Sequence, residues 1–187
     1  MKPNGPVARK ADYHVDVCAP GPARDLVKAL HYTKSASHRA FAICATRAGR
    51  VVAAALFLPP LPPAAKKHTL SGDPKKVIAL HRLVVAPDEP QNVATILIGG
   101  SLRRLKKDRR YDTVITFADK SQGHTGTIYR ASNAEYLGES KPETYWVDAE
   151  GRTVSRKATT SRTYEQMRNL GYSPRRSPGK HIFRWAL

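Results

Sequence analysis

Between Phe117 and Gly138 the chain reads FADKSQGHTGTIYRASNAEYLG, which places Asp119, His124, Tyr129 and Ser132 in one short stretch. A carboxylate and an imidazole suit general acid–base work or metal ligation, and a phenol suits proton donation or stacking on a base. Asp119 closes a β-rich run, so it emerges at the C-terminal edge of a sheet, where open sheets place ligands. The competing roles are turn capping for Asp119, an exposed loop position for His124, core packing for Tyr129, and helix capping for Ser132 and Asn133. A second group, HYTKS at 31–35, puts His31 and Tyr32 just after a helical segment, whose C-terminus by itself favours a cationic imidazole. In the third, VIALHRLVV at 77–85, Arg82 interrupts an apolar run. A buried guanidinium needs a partner, and Asp119 on the neighbouring strand is the candidate. Strict alternation puts His81 and Arg82 on opposite faces. His31, Asp119 and His124 could form a His/carboxylate set of the kind that holds iron; a site without metal is the other reading.

These residues need a scaffold, and hydrophobic periodicity predicts one. Leu26, Val27 and Leu30 share one face of a helix over 22–31. Residues 41–45 and 51–58 read as a hairpin around the turn at 46–50, stopped by PPLPP at 59–63. Residues 77–85 read as a buried strand and 91–107 as an amphipathic helix with Val93, Ile96, Leu97, Leu102 and Leu105 turned inward. A strand over 112–118 and a short helix over 127–133 follow. The tail reads as a second hairpin flanking Ala149-Glu150-Gly151, a helix over 163–170 and a final strand over 181–185. A strand–helix–strand unit after a hairpin implies an α/β (α+β) fold with a mixed, mainly antiparallel sheet flanked by helices. Residues 1–10 read as a flexible arm and 11–187 as a single domain.

The 187 residues carry 32 Lys plus Arg against 15 Asp plus Glu, a net charge of +17. Such an excess favours polyanions through phosphate neutralisation and counterion release, so nucleic acid is the expected partner. Arg156 and Lys157 in GRTVSRKATTSR, and Arg175, Arg176 and Lys180 in GYSPRRSPGKHIFR, lie among Ser, Thr and aromatic residues, as phosphate-tracking surfaces do. LRRLKKDRR at 102–110 reads as a solvated helix face. Modification of a base within a duplex requires its extrusion, and Tyr129, Tyr136, Tyr145 and Trp146 are the aromatic candidates to hold it. No apolar run reaches the length of a membrane span, and the N-terminus lacks a signal-peptide pattern. Cys18 and Cys44 lie in apolar or strand-like surroundings and read as buried thiols in a reducing compartment.

The element order is similar to that of the Gcn5-related N-acetyltransferases, in which a glycine-rich loop at a helix start holds the pyrophosphate of acetyl-CoA on backbone amides. Here the corresponding stretch, APDEPQNVA at 86–94, has no glycine, two prolines without amide donors and two carboxylates that repel phosphate. HYTKS, LHRLVV and the long motif at 117–138 together resemble the Mom DNA-modification proteins of Mu-like bacteriophages, a divergent branch of that fold. The resemblance spans His31 to Gly138. It implies an enzyme acting in the host cytoplasm that converts the N6 amine of adenine in double-stranded phage DNA to an N6-carbamoylmethyl derivative, protecting it from restriction. It also implies a site built from His31, Tyr32, Arg82, Asp119, His124, Tyr129 and Ser132. The acyl donor is either an acyl-CoA or an aminoacyl-tRNA such as glycyl-tRNA, which needs no pyrophosphate cradle. Two other readings stay open: an acyltransferase of the same fold acting on a protein or small-molecule amine, and a non-catalytic basic DNA-binding protein.

Overall fold

The computed structural model describes residues 7–90, 92–154 and 159–187, and the chain divides into two compact units. The first holds residues up to Phe117 with Gly126–Leu137 and Ile182–Leu187; the second holds Ala118–Thr125 and Gly138–His181.

In chain order the strands are β1 (His14–Cys18), β2 (Phe41–Arg47), β3 (Arg50–Leu58), β4 (Val77–Val85), β5 (Thr113–Asp119), β6 (Glu135–Glu139), β7 (Thr144–Val147), β8 (Ser173–Arg176) and β9 (Lys180–Ala186). The helices are α1 (Pro20–Leu30), α2 (Pro62–His68), α3 (Val93–Asp108), α4 (Thr127–Arg130) and α5 (Tyr164–Asn169). Among the described residues the main sheet has the order β1-β2-β3-β4-β5-β9-β6, with β1 to β4 antiparallel and β4 parallel to β5. This is the mixed, mainly antiparallel sheet that the periodicity predicts.

Alternation along β3 sends side chains to both faces. Ala53, Ala55 and Phe57 share a core with Val93, Leu97 and Ile98 of α3, whereas Ala54 and Leu56 share another with Ala23 and Val27 of α1. The two helices therefore cover opposite faces. Ala65 of α2 adds a smaller cluster on Val77, Ala79 and Ile115. Small side chains in β3 leave room for helices to approach both faces closely.

One irregularity in β4 bears directly on the site. Leu56 of β3 pairs with Arg82, but its neighbour Phe57 pairs with Leu80, so β4 carries one extra residue at His81. Such a bulge inverts the alternation beyond it. Ile78 and Leu80 face α3 before the bulge; after it Leu83 and Val85 do so, and Val84 joins the α1 face. Arg82 has the same parity as Val84, which turns it to the α1 side. The simple rule that His81 and Arg82 must oppose each other fails here, because an unpaired residue breaks the pleat.

Several elements depart from the periodicity. β1, α2, β6 and β8 are additional to it. Among the described residues the hairpin expected around 149–151 is a turn with one bridge, Val147 to Thr153, and β7 pairs with β8. α5 is held by a capping box in which Thr163 Oγ1 accepts from Gln166 N at 3.2 Å and Thr163 N donates to Gln166 Oε1 at 2.8 Å. The sequence predicts separate thiols at Cys18 and Cys44; the structure joins them in a disulfide with a Cα–Cα distance of 5.8 Å. The β1–β2 register brings them together, with Cys18 opposite Ala42 and Asp16 opposite Cys44. No helix among the described residues is long and apolar enough to cross a membrane.

His68, at the end of α2, is only 6% exposed, and its imidazole is pushed below its ordinary value of 6.5 by burial, then by Lys67 and Arg184. A depressed base binds fewer protons folded than unfolded, so stability rises with pH through this interval. The His68 contribution is complete above pH 6.5 and declines as pH falls below it. Thermal melts between pH 7.5 and 5 should show a loss of at most about 1.4 kcal/mol per pH unit from this group. His68→Gln should flatten that segment, and an unaltered slope in the variant would remove His68 as its origin.

Candidate functional site

In the first unit the site residues come from the α1–β2 loop, the bulged β4, and α4. His31 caps α1, its N–H donating to Val27 O at 2.9 Å. Its Nδ1 accepts from Thr33 N at 3.2 Å and lies 2.9 Å from Thr33 Oγ1. A ring nitrogen that accepts a backbone N–H carries no proton, so in the neutral tautomer the proton sits on Nε2. Tyr32 stacks on His31 with ring centroids 4.4 Å apart.

Arg82 is half-buried. Its Nε donates to Ser35 O at 3.3 Å and its Nη1 to His81 O at 2.8 Å, which ties β4 to the loop bearing His31 and Tyr32. Its described partners are two carbonyl oxygens, not the carboxylate expected from the sequence. Burial lowers the guanidinium from its ordinary value, and Tyr32 partly opposes that effect. A half-buried cation bonded to carbonyls keeps charge available for an oxyanion or a polarised carbonyl.

Tyr129 stands on α4, partly buried. Its ring lies 5.4 Å from Phe183 and 5.8 Å, edge-on, from Trp185. Burial raises its phenol, and a hydrogen bond with Thr116 offsets the rise in part. Thr116 also donates to Leu80 O at 3.1 Å, so the phenol is anchored at the β4–β5 pairing of Leu80 with Thr116. Thr116 and Thr33 are positioning residues that the sequence reading misses. A Thr at a buried strand position is the available signal, since its hydroxyl must find a partner. Ser132 Oγ donates to Ile128 O at 2.8 Å, and Ser132 O accepts from Trp185 Nε1 at 2.8 Å, so Ser132 secures the end of α4.

The second unit holds the other motif residues. Asp119 accepts from Ser121 N at 3.0 Å and from Ser121 Oγ at 2.6 Å, capping the 3-10 turn Lys120–Gln122, and its carbonyl accepts from His124 N at 3.2 Å. His124 is exposed. Among the described residues no three His, Cys, Asp or Glu side chains are grouped to hold a metal ion. His31, Asp119 and His124 therefore belong to no such group among the described residues.

On the β7–β8 ribbon Tyr145 pairs with Arg175, so both project on one face, and both are exposed. Trp146 is 9% exposed and packs edge-on against Tyr164 at 4.8 Å, so as placed it offers no open ring to a base. This corrects its candidacy: alternation along β7 spends Trp146 on the core and leaves Tyr145 outside. Arg176 and Lys180 are also exposed, whereas Arg156 and Lys157 lie outside the described residues.

The opening of α3 tests the fit of an acyl-CoA. Glu89, whose side chain is fully buried, accepts from Tyr13 Oη at 2.6 Å and lies 2.9 Å from Arg47 Nη2. Arg50 pairs with Asp88 at 2.6 Å, and Asn92 exchanges two 2.8 Å bonds with the backbone of Ala8. At this opening the prolines at 87 and 90 offer no amide to a pyrophosphate, and no glycine eases its approach to the backbone. The described residues of this loop thus lack the glycine-rich amide cradle of the fold.

Solved structures similar to this chain are N-acetyltransferases. Escherichia coli ribosomal-protein-S18-alanine N-acetyltransferase matches at 12% identity over 93% of each chain, with a TM-score of 0.53. A Bacillus subtilis acetyltransferase in complex with CoA matches at 10% identity, covering 94% of this chain and 99% of its own, with a TM-score of 0.51. The aminoglycoside enzyme AAC(6')-Ib, solved with paromomycin and acetyl-CoA, matches at 13% identity over 82% of this chain and 99% of its own, with a TM-score of 0.53. These likenesses show the Gcn5-related N-acetyltransferase fold. No curated protein matches the sequence. A sequence model of the Mom protein family does match, over residues 12–179, and the chain belongs to that family.

Proposed function

We propose that this chain transfers glycine from an aminoacyl ester to the exocyclic N6 of adenine in double-stranded DNA, releasing the ester's hydroxyl. The free glycyl amine then attacks C6 through a five-membered ring and expels the former N6 as the terminal amide, giving the N6-carbamoylmethyl derivative that protects phage DNA from restriction in the host cytoplasm. Membership of the Mom family and the acetyltransferase fold support chemistry of the acyl-transfer type. The observation that carries the reading is the Tyr129 phenol, raised by burial and anchored by Thr116, which suits it to keep its proton at neutral pH and give it to a leaving oxygen. Arg82 is the group to polarise the donor carbonyl, and His31 and Tyr32 order the loop that its guanidinium grips. Asp119 and His124 are assigned to proton removal from the adenine amine, and Ser132 to support of α4, on the strength of the family motif. The donor we favour is an aminoacyl-tRNA such as glycyl-tRNA, because the loop that opens α3 has no glycine and two prolines where the fold holds pyrophosphate on amides. Arg175, Arg176, Lys180, Arg156 and Lys157 are assigned to DNA phosphates, with Tyr145 as the stacking ring.

Mass spectrometry of nucleosides from cells expressing the protein tests this directly. A carbamoylmethyl-adenine signal is expected. Its absence, together with acylation of a protein or small-molecule amine, would move the chain to the alternative acyltransferase reading. Replacing Arg175 and Arg176 by glutamate should weaken duplex binding and lower the log–log salt slope by about one unit for each phosphate no longer neutralised. An unchanged slope would make β8 a solubilising face only.

A further inference from the structure

Six arginines of this protein have carboxylate partners among the described residues: Arg9 with Asp12, Arg47 with Glu89, Arg50 with Asp88, Arg104 with Asp16, Arg152 with Asp148 and Arg184 with Glu135. A different arrangement stands where β4 and β5 begin. Lys66 and Lys67 close α2, Lys75 and Lys76 form the 3-10 turn leading into β4, and Arg109 and Arg110 lead into β5. The segments that carry them are bound together. Asp112 N donates to Lys76 O at 3.1 Å, Leu70 N donates to Thr113 Oγ1 at 3.3 Å, and Ala65 of α2 packs on Val77 and Ile115. All six cations are exposed, and none is in an ion pair among the described residues.

Three carboxylates share this rim, and two are in local use. Asp73 caps Lys75 N at 2.9 Å, and Asp112 accepts from the Thr113 hydroxyl at 2.6 Å. Asp108 is exposed. Cations at helix ends are worth about 0.3–1 kcal/mol each against the macrodipole, which accounts for Lys66 and Lys67. It does not account for Lys75, Lys76 or Arg110, which lie outside any α-helix, so mutual repulsion is left without an internal return.

We propose that this rim grips the phosphate backbone of duplex DNA. The proposal rests on the DNA-modifying function above. Val77 precedes Arg82 by five residues of strand, about 17 Å at 3.3 Å per residue. With the adenine held at Arg82 and the duplex running along β4, phosphates about 3.4 Å apart in axial rise put the rim about five nucleotides from the reacting base. The grip is on the backbone and carries no sequence preference.

The test uses the full-length protein with Lys66, Lys67, Lys75 and Arg110 all replaced by glutamine, after a thermal melt matching that of the parent. Binding to a 20-base-pair duplex with a central adenine is measured against salt. The log–log slope should fall by about 0.9 for each phosphate that the variant no longer neutralises, about two to three units in all. A duplex trimmed to three base pairs on each side of the adenine should show the same slope with parent and variant. An unchanged slope on the long duplex overturns the proposal, as does a weakening confined to a folded tRNA transcript. Nucleoside analysis of cells expressing the parent separates the two levels: carbamoylmethyl-adenine with an unmoved slope overturns the rim alone, and absence of the modified base overturns the function on which it rests.

Discussion

Replacing Tyr129 by phenylalanine is expected to lower adenine modification by at least about a hundredfold while the protein still folds. The change keeps the ring between Phe183 and Trp185 and removes only the hydroxyl shared with Thr116. Loss of one such bond costs about 1 kcal/mol of stability, whereas loss of a placed proton donor costs about 10²–10⁴ in rate. Thr116→Val is the companion, since it leaves the phenol in place but unanchored. It should reduce the rate less than Tyr129→Phe and shift the pH dependence of the single-turnover rate. Thermal melting run beside nucleoside quantification separates the two effects. A folded Tyr129→Phe protein with full activity would show that the ring serves packing alone.

Gly126→Ala should be strongly destabilising, costing about 3–5 kcal/mol. Gly126 starts α4 with φ of +74°, where an alanine is strained by about 1–2 kcal/mol. An added Cβ would also overlap Cε2 and Cζ of Phe183, which is fully buried and has nowhere to retreat. A total domain stability of about 5–15 kcal/mol leaves little after such a loss. Gly123→Ala provides the control, because its φ of +69° is similar but the space around it is open. Urea midpoints of the two variants should therefore differ by the steric part alone. Partial recovery in Gly126→Ala/Phe183→Leu would locate the clash, and equal midpoints for the two alanine variants would remove it. The same ring touches Tyr129, so this glycine sets how close α4 sits to the strand beneath it.

Much of the scaffold is legible in the chain because its signals are local. VIALHRLVV is long and apolar enough to define β4 with its ends, and the leucine and valine spacing places α3 and α1 within about two residues. β1, α2, β6 and β8 escape the same reading. HVDVC is a short edge strand with mostly exposed residues, and SPRR contains a proline and two arginines, so neither has periodicity of its own. Their pairing is supplied by β2 and β7. The disulfide follows the same logic: once β1 is recognised, its register with β2 brings Cys18 near Cys44.

The motif residues divide in a similar way. Residue types and order alone determine that Asp119 ends a strand, that Tyr129 rides a short helix, that the opening of α3 lacks glycine and that the chain is strongly basic. Those properties are set by covalent neighbours and by composition. Tertiary structure decides that the β4 bulge turns Arg82 toward Ser35, that Thr116 anchors the Tyr129 phenol, that Glu89 is buried against Arg47, and that six cations from three segments meet at one rim. Each of these depends on register, and register is set jointly by two strands and the helices packed across them. One extra residue at His81 reverses the facing of every side chain beyond it.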